Sequence, residues 1–354
     1  MRILILNRRD IANPAGGGAE VYTHEITSGL VSKYSCECVV FSSRFPNSAA
    51  EEDIDGVRYV RKGNEATVHL WGLIYAARHR ALFDRIIDEF NGIGFFTFFL
   101  PNSVLLIHQL YKEFWFRELG SAGAVPYVIE PLLLRLYRRR PAITVSRSTK
   151  EDLELRGFRK VDIVMNAIRH RPAVTVKKDA DPTVVFLGRL KSTKRPGDAI
   201  EIFHLVKERI PSARLWMIGA GPLEGVLRKR AKSLKDVFFW GWMKDEEKMS
   251  LLASSHILVV PSVREGFGIN VIEAASTGCP AVGYNVPGLR DSIRHGETGF
   301  LAESIGGAAD RIVELLKDHA GYERMSQACL EYSKDFDWRI RVDEFWAVIE
   351  GLKK

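Results

Sequence analysis

Two glutamates eight positions apart, Glu265 and Glu273, carry the strongest chemical signal in the chain. They lie in Pro261-Ser-Val-Arg-Glu265-Gly-Phe-Gly-Ile-Asn-Val-Ile-Glu273-Ala-Ala. The apolar run His256 to Val260 reads as a buried strand that ends at Pro261. Gly266 and Gly268 then open a turn, and Ile269, Ile272 and Ala275 recur at helical spacing, so a helix starts near Gly268. One carboxylate sits in the loop and the other about a turn inside the helix. Free N–H groups at a helix start, with the positive end of its dipole, favour a phosphate. A carboxylate on each side of such a site can accept hydrogen bonds from hydroxyls, one set on a ribose and one on a sugar. The plain alternative for the pair alone is a loop acid and a solvated helix acid.

Two cations come from another strand end. Val184-Val-Phe-Leu-Gly188-Arg189-Leu-Lys-Ser-Thr-Lys194 places Arg189 and Lys194 just beyond an apolar run, where ligands of open α/β sheets bind. Fixed Arg and Lys groups stabilise the charge that grows on a departing diphosphate. A solvated basic turn is the alternative. Asn13-Pro-Ala-Gly16-Gly17-Gly18-Ala-Glu20 follows the first strand, and its glycines let backbone approach a phosphate or sugar. Neither this loop nor Gly219-Ala-Gly221-Pro-Leu-Glu224 has the Gly-x-Gly-x-x-Gly spacing of a dinucleotide site. His108 ends the strand Ser103–His108, a place where lone histidines are commonly structural.

The elements that must position these groups alternate. Strand-like runs in the first half are Ile3–Leu6, Glu37–Phe41, Val57–Arg61, Val104–Ile107, Ile143–Val145 and Val161–Val164. In the second half they are Val184–Leu187, Arg214–Ile218, Val237–Trp240, His256–Val260 and Ala281–Tyr284. Helical patterns separate them, which predicts α/β domains with parallel sheets covered on both faces. A length of 354 residues fits two domains. Residues 169–182 lack a period and read as a linker between residues 1–168 and 183–334, and an amphipathic helix restarts over 335–354. No apolar run is long enough to span a membrane, and the start of the chain reads as a strand rather than a signal peptide, so a cytoplasmic protein is expected. Cysteines 36, 38, 279 and 329 read as reduced structural thiols. A net charge of +7 suits an anionic partner, and no nucleic-acid motif accompanies it. Asp53-Ile-Asp55 and Asp179-Ala-Asp181 have metal-like spacing but sit in a polar loop and in the linker, where they read as solvated charges, so no metal site is expected.

The Glu265–Glu273 segment resembles the donor-binding signature of the retaining glycosyltransferases of family GT4 (glycosyl transferases group 1). Thr277-Gly-Cys-Pro-Ala-Val-Gly283 and the turn Gly296-Glu-Thr-Gly-Phe-Leu301 extend the resemblance. It implies a GT-B fold, with two Rossmann-like domains facing a cleft and a terminal helix returning to the first. It also implies that Arg189 and Lys194 hold a diphosphate, Glu273 a ribose, and Glu265 and His108 the transferred hexose. Gly17 and Gly18 would face donor and acceptor, Gly188, Gly266, Phe267, Gly268, Ile269 and Asn270 would line the donor, and Gly219 would lie near the base. Arg195 stands where the family has glycine, and Ser146 matches a recurrent serine with a packing role equally open.

The implied activity is metal-independent, retaining transfer of a hexose from a nucleoside diphosphate sugar to a hydroxyl, with no cofactor beyond the donor. A GT-B epimerase and a non-catalytic sugar-nucleotide-binding subunit are the alternatives. Tyr111–Phe116 and Pro131–Arg140 mix bulky apolar groups with bases, which suits a lipid-linked acceptor or the cytoplasmic face of a membrane. The bland alternative, slightly preferred, is a core helix whose arginines complement its dipole.

Overall fold

A computed structural model describes residues 1–169 and 177–352. The chain divides into two compact units, Met1–Ala167 with Asp337–Lys354, and Ile168–Phe336. The final helix, Trp338–Gly351, thus belongs to the first unit. There Gly29 of the helix Gly18–Tyr34 admits the side chain of Val342, while Lys33 and Tyr34 both bond Asp343. Of the expected linker, residues 170–176 lie outside the described residues. The rest is not a free tether: the Lys178 ammonium donates to the carbonyls of Ser255 and Thr277, and Arg214 pairs with both Asp179 and Asp181. Those two aspartates are therefore ion-paired rather than solvated.

The first unit carries eight strands: β1 (Arg2–Leu6), β2 (Glu37–Ser42), β3 (Glu51–Ile54), β4 (Val57–Arg61), β5 (Arg85–Glu89), β6 (Ser103–Ile107), β7 (Ala142–Thr144) and β8 (Val161–Ile163). They align in the order β3-β4-β2-β1-β5-β6-β7-β8. Ile3 to Leu6 are all buried, as a central parallel strand with both faces covered requires. All pairings are parallel except β3 with β4, which corrects the expectation of wholly parallel sheets. The short acidic β3 is an edge, and its charges blunt it against further pairing. Its turn carries Asp55, whose carboxylate meets His24 Nε2 at 3.0 Å.

The second unit holds β9 (Thr183–Leu187), β10 (Arg214–Ile218), β11 (Val237–Gly241), β12 (Ile257–Val260), β13 (Ala281–Tyr284) and β14 (Gly299–Ala302), in the order β11-β10-β9-β12-β13-β14. All of its ladders are parallel. In the first unit strand addition reverses direction between β1 and β5, and in the second between β9 and β12. Loops leaving the carboxyl ends of those neighbours diverge and open a crevice. All four cysteines are buried.

Two further expectations change. The helix Ala124–Tyr137 is not a core helix: it buries Glu130, Leu134 and Tyr137 and leaves Val125, Val128, Leu132 and Leu136 exposed. Of Tyr111–Phe116, Phe114 is buried and Trp115 donates through Nε1 to Glu130, so only Phe116 among its aromatic rings is exposed. Ser146 caps the helix Arg147–Glu154 by accepting from Thr149 N–H.

A buried ion pair ties the β1 loop to its neighbours. Asp10 accepts from Arg61 Nε at 2.7 Å, Ser42 Oγ at 2.5 Å and Ala12 N at 3.0 Å, and Arg61 reaches Glu52 on β3. Both side chains of the Asp10–Arg61 pair are fully buried. Asp10→Ala should therefore lower the stability of the first unit by about 3–5 kcal/mol, since it strands a buried guanidinium. Urea denaturation followed by fluorescence checks this, and a loss below about 1 kcal/mol would contradict it.

Candidate functional site

In the second unit the expected cation and carboxylate meet. Lys194 closes a short 3₁₀ turn, Ser192–Lys194, beyond β9, and Glu265 lies in the loop beyond β12. Lys194 Nζ is 2.5 and 2.6 Å from the two carboxylate oxygens of Glu265, and Ser262 Oγ donates to Oε1 at 2.7 Å. Backbone bonds hold both loops: Val263 N to Thr193 O at 3.0 Å, and Glu265 N to Pro287 O at 3.0 Å. Arg189, between β9 and that turn, is exposed. Arg195, where the family resemblance expects glycine, takes the left-handed conformation, with φ 48° and ψ 48°. That conformation costs about 1–2 kcal/mol for a side-chain residue. An ion pair to Asp198 at 2.8 Å and a guanidinium 5.1 Å from the Tyr284 ring offset it.

Glu273 occupies the fifth position of the two-turn helix Ile269–Ala275, as the spacing predicts. Its carboxylate meets Lys248 Nζ at 2.7 Å, and Lys248 also holds Asp245 at 2.7 Å. Burial pushes the Lys248 ammonium down, but Glu273 and Asp245 outweigh it and hold its pKa above the usual value. The sequence reading missed Lys248, which comes from the preceding helix, Asp245–Ser254.

The glycines and their neighbours divide into separate roles. Gly268 caps the helix with φ 89°. Gly219, with φ 126°, presses against the carbonyl of Gly188, so a Cβ there would collide with backbone. Gly288, which the sequence reading did not single out, approaches the Glu265 carbonyl in the same way at φ 84°. Asn270 donates from Nδ2 to Leu187 O at 2.9 Å and ties the helix to the end of β9. Phe267 is buried with its ring 5.6 Å from Phe336, so its side chain belongs to the core. Gly266 and Ile269 are half-buried beside them.

The first unit brings the expected Gly loop and histidine to the ends of β1 and β6, on either side of β5. Gly17 caps the helix after β1, its N–H donating to Glu20 at 2.7 Å, and Gly18 is the first helical residue. Arg9 clamps this loop by donating to Ala15 O at 3.1 Å while paired with Glu65. His108 sits one residue beyond β6, and its Nε2 is 2.7 Å from Glu89 Oε1. Glu89, the last residue of β5, is buried and accepts from Thr23 Oγ1 at 2.9 Å. Burial pushes the Glu89 carboxyl up, His108 pulls it down, and the nearby Glu20 charge raises it further. An ionised Glu89 would accept this contact from a protonated Nε2, which would leave Nδ1 as the ring atom for a ligand. The sequence reading missed Glu89 because β5 has only two apolar residues, Ile86 and Ile87, between charges. Its neighbour Asp88 is saturated by Phe95 N, Thr97 and Tyr137 Oη and is purely structural.

The family described as glycosyl transferases group 1 matches residues 168–332. That match takes in just under half of the chain. N-acetyl-alpha-D-glucosaminyl L-malate synthase of Bacillus anthracis is 29% identical over 158 residues, 43% of this chain and 41% of that protein, so the match spans less than half of that relative. Sucrose-phosphate synthase from Thermosynechococcus elongatus superposes with a TM-score of 0.80 at 17% identity, covering 99% of this chain and 98% of the other. The Anabaena protein HepE, in complex with UDP and glucose, superposes with a TM-score of 0.73 at 16% identity, covering 99% and 100%. At these identities the likeness establishes the fold, which is that of the GT-B glycosyltransferases.

The Lys194–Glu265 contact can be tested without substrate. Lys194→Met should destabilise the second unit by roughly 1.5–3 kcal/mol, because Glu265 keeps its charge and loses its cation. Adding Glu265→Gln should recover much of that loss. A double-mutant cycle of unfolding free energies with no coupling between the two substitutions would contradict the pair.

Proposed function

We propose that the chain is a retaining glycosyltransferase that moves a hexose from a nucleoside diphosphate sugar to a hydroxyl of a sugar, lipid-linked or small-molecule acceptor. The observation that carries this reading is the junction of Lys194 and Glu265 at the β9–β12 reversal, with exposed Arg189 on the same loop as Lys194. The match of residues 168–332 to glycosyl transferases group 1 and the GT-B fold support it. So does the binding of UDP and glucose by HepE.

In this reading Arg189 and Lys194 neutralise the charge that develops on the departing diphosphate. Glu265 exchanges its lysine for hydroxyls of the hexose, Glu273 accepts from the ribose, and His108, held by Glu89, offers Nδ1 to the sugar. The acceptor attacks from the face that the leaving group vacates, and a phosphate oxygen takes its proton, which retains configuration. With two fixed cations at the diphosphate, no metal is required.

A panel of nucleotide sugars assayed for hydrolysis and transfer tests the reaction. Arg189→Ala should lower kcat/KM about 10²-fold or more while the fold persists, because removal of a charge-stabilising donor costs a few kcal/mol. Wild-type turnover would remove Arg189 from the mechanism. Activity should survive EDTA, and loss on chelation with rescue by Mn²⁺ would refute the metal-independent step.

Calorimetry with UDP and GDP separates the two glutamates. Glu273→Gln should weaken nucleotide binding by roughly 1.5–3 kcal/mol, the worth of a charged acceptor. Glu265→Gln should leave nucleotide affinity nearly unchanged and reduce turnover instead. The reverse pattern would exchange their roles.

A further inference from the structure

The helix Ala124–Tyr137 carries two apolar stripes. One, with Leu134 and Tyr137, packs onto the first unit. The other consists of Val125, Val128, Ile129, Leu132 and Leu136, at spacings i, i+3, i+4, i+7 and i+11. These five side chains are 64%, 60%, 43%, 59% and 47% exposed, so a stripe with the period of a core-facing helix faces water. Tyr127 stands about 200° round the helix from Val125, off this stripe, and its exposed ring lies 5.1 Å from that of the exposed Phe116. Contiguous apolar surface of this kind marks an interaction site.

The stripe runs into positive charge. Arg139 stands two residues past the end of the helix, with Arg135 and Arg138 exposed beside it. Beyond them lies a cavity of ≈ 680 Å³ whose described lining includes Arg138, Arg139, Arg140, Arg159 and Lys160 and, among the described residues, no acid. The Arg140 guanidinium is held by the carbonyls of Phe98 and Pro101, which fixes one side of the cavity.

We propose that this face docks on an anionic lipid surface. The stripe enters the boundary between headgroups and acyl chains, and the arginine-lined cavity takes headgroup phosphates. An apolar row with Arg135 and Arg138 exposed beside it sets cations at the edge of the inserted face, where the phosphates of a leaflet meet its acyl chains. The helix lies on the surface rather than crossing it: its 14 residues extend only about 21 Å, at 1.5 Å per residue. No helix among the described residues is long and apolar enough to span a bilayer. The inference deepens the lipid-linked acceptor of the proposed function, but its test needs no turnover.

The full chain is sedimented with vesicles of phosphatidylcholine alone and of phosphatidylcholine mixed with phosphatidylglycerol, at low and high salt. Binding is expected on the phosphatidylglycerol vesicles and should weaken with salt. Leu132→Ser with Leu136→Ser should lower the partition coefficient about tenfold or more. Arg138→Ala with Arg139→Ala should remove the preference for phosphatidylglycerol. Neither pair should move the thermal midpoint, because all four side chains are exposed. Failure to bind either vesicle at low salt, or undiminished binding by the leucine variant, would overturn the proposal. So would concentration-dependent self-association that the leucine substitutions abolish, which would assign the stripe to a second copy of the chain.

Discussion

A sheet buried on both faces can place polar chemistry only at the ends of its strands, and this constraint organises both units. β1 and β9 are covered from both sides, and four of the five side chains of each are apolar. Beside each of them the sheet reverses the direction in which strands are added, so two loops part instead of packing along one another. Lys194 and Glu265 meet across one such divergence. Gly17, Glu89 and His108 gather around strands β1, β5 and β6 at the other.

Each of the two signature glutamates carries a lysine in this structure. That pairing keeps two carboxylates and two ammonium groups in place at modest electrostatic cost. It also leaves the site pre-shaped, since Ser262 and the backbone bonds of the Glu265 loop fix the carboxylate from behind. The His108–Glu89–Thr23 chain works by the same logic, with a buried acceptor orienting a ring at the edge of the core. Close backbone approach supplies the remaining constraint: Gly219 against Gly188 and Gly288 against Glu265 leave no room for a side chain.

Much of this was legible in the sequence. The apolar runs located most strands, and the glycine spacing located the helix that begins at Ile269. The period of Ile269, Ile272 and Ala275 placed Glu273 on it. Three strands escaped notice. β3 is acidic, β5 has two apolar residues, and β14 begins at Gly299 within what reads as a turn. The helix Ala124–Tyr137 misled for the opposite reason, because its apolar period is real but half of it faces water. Periodicity reports that one face is apolar, and says nothing about what lies opposite that face.

The sequence by itself determined the α/β class, the two-part organisation and the residue types available for chemistry, because these depend on local spacing and on which stretches must be buried. Tertiary structure alone decided the pairings. Lys248 reaches Glu273 from the preceding helix, Glu89 meets His108 from the neighbouring strand, and Asp10 holds Arg61 across the sheet. These partners are 25, 19 and 51 positions apart. Only the strand order and the helix packing bring such groups within hydrogen-bond distance, and no local period in the chain records either.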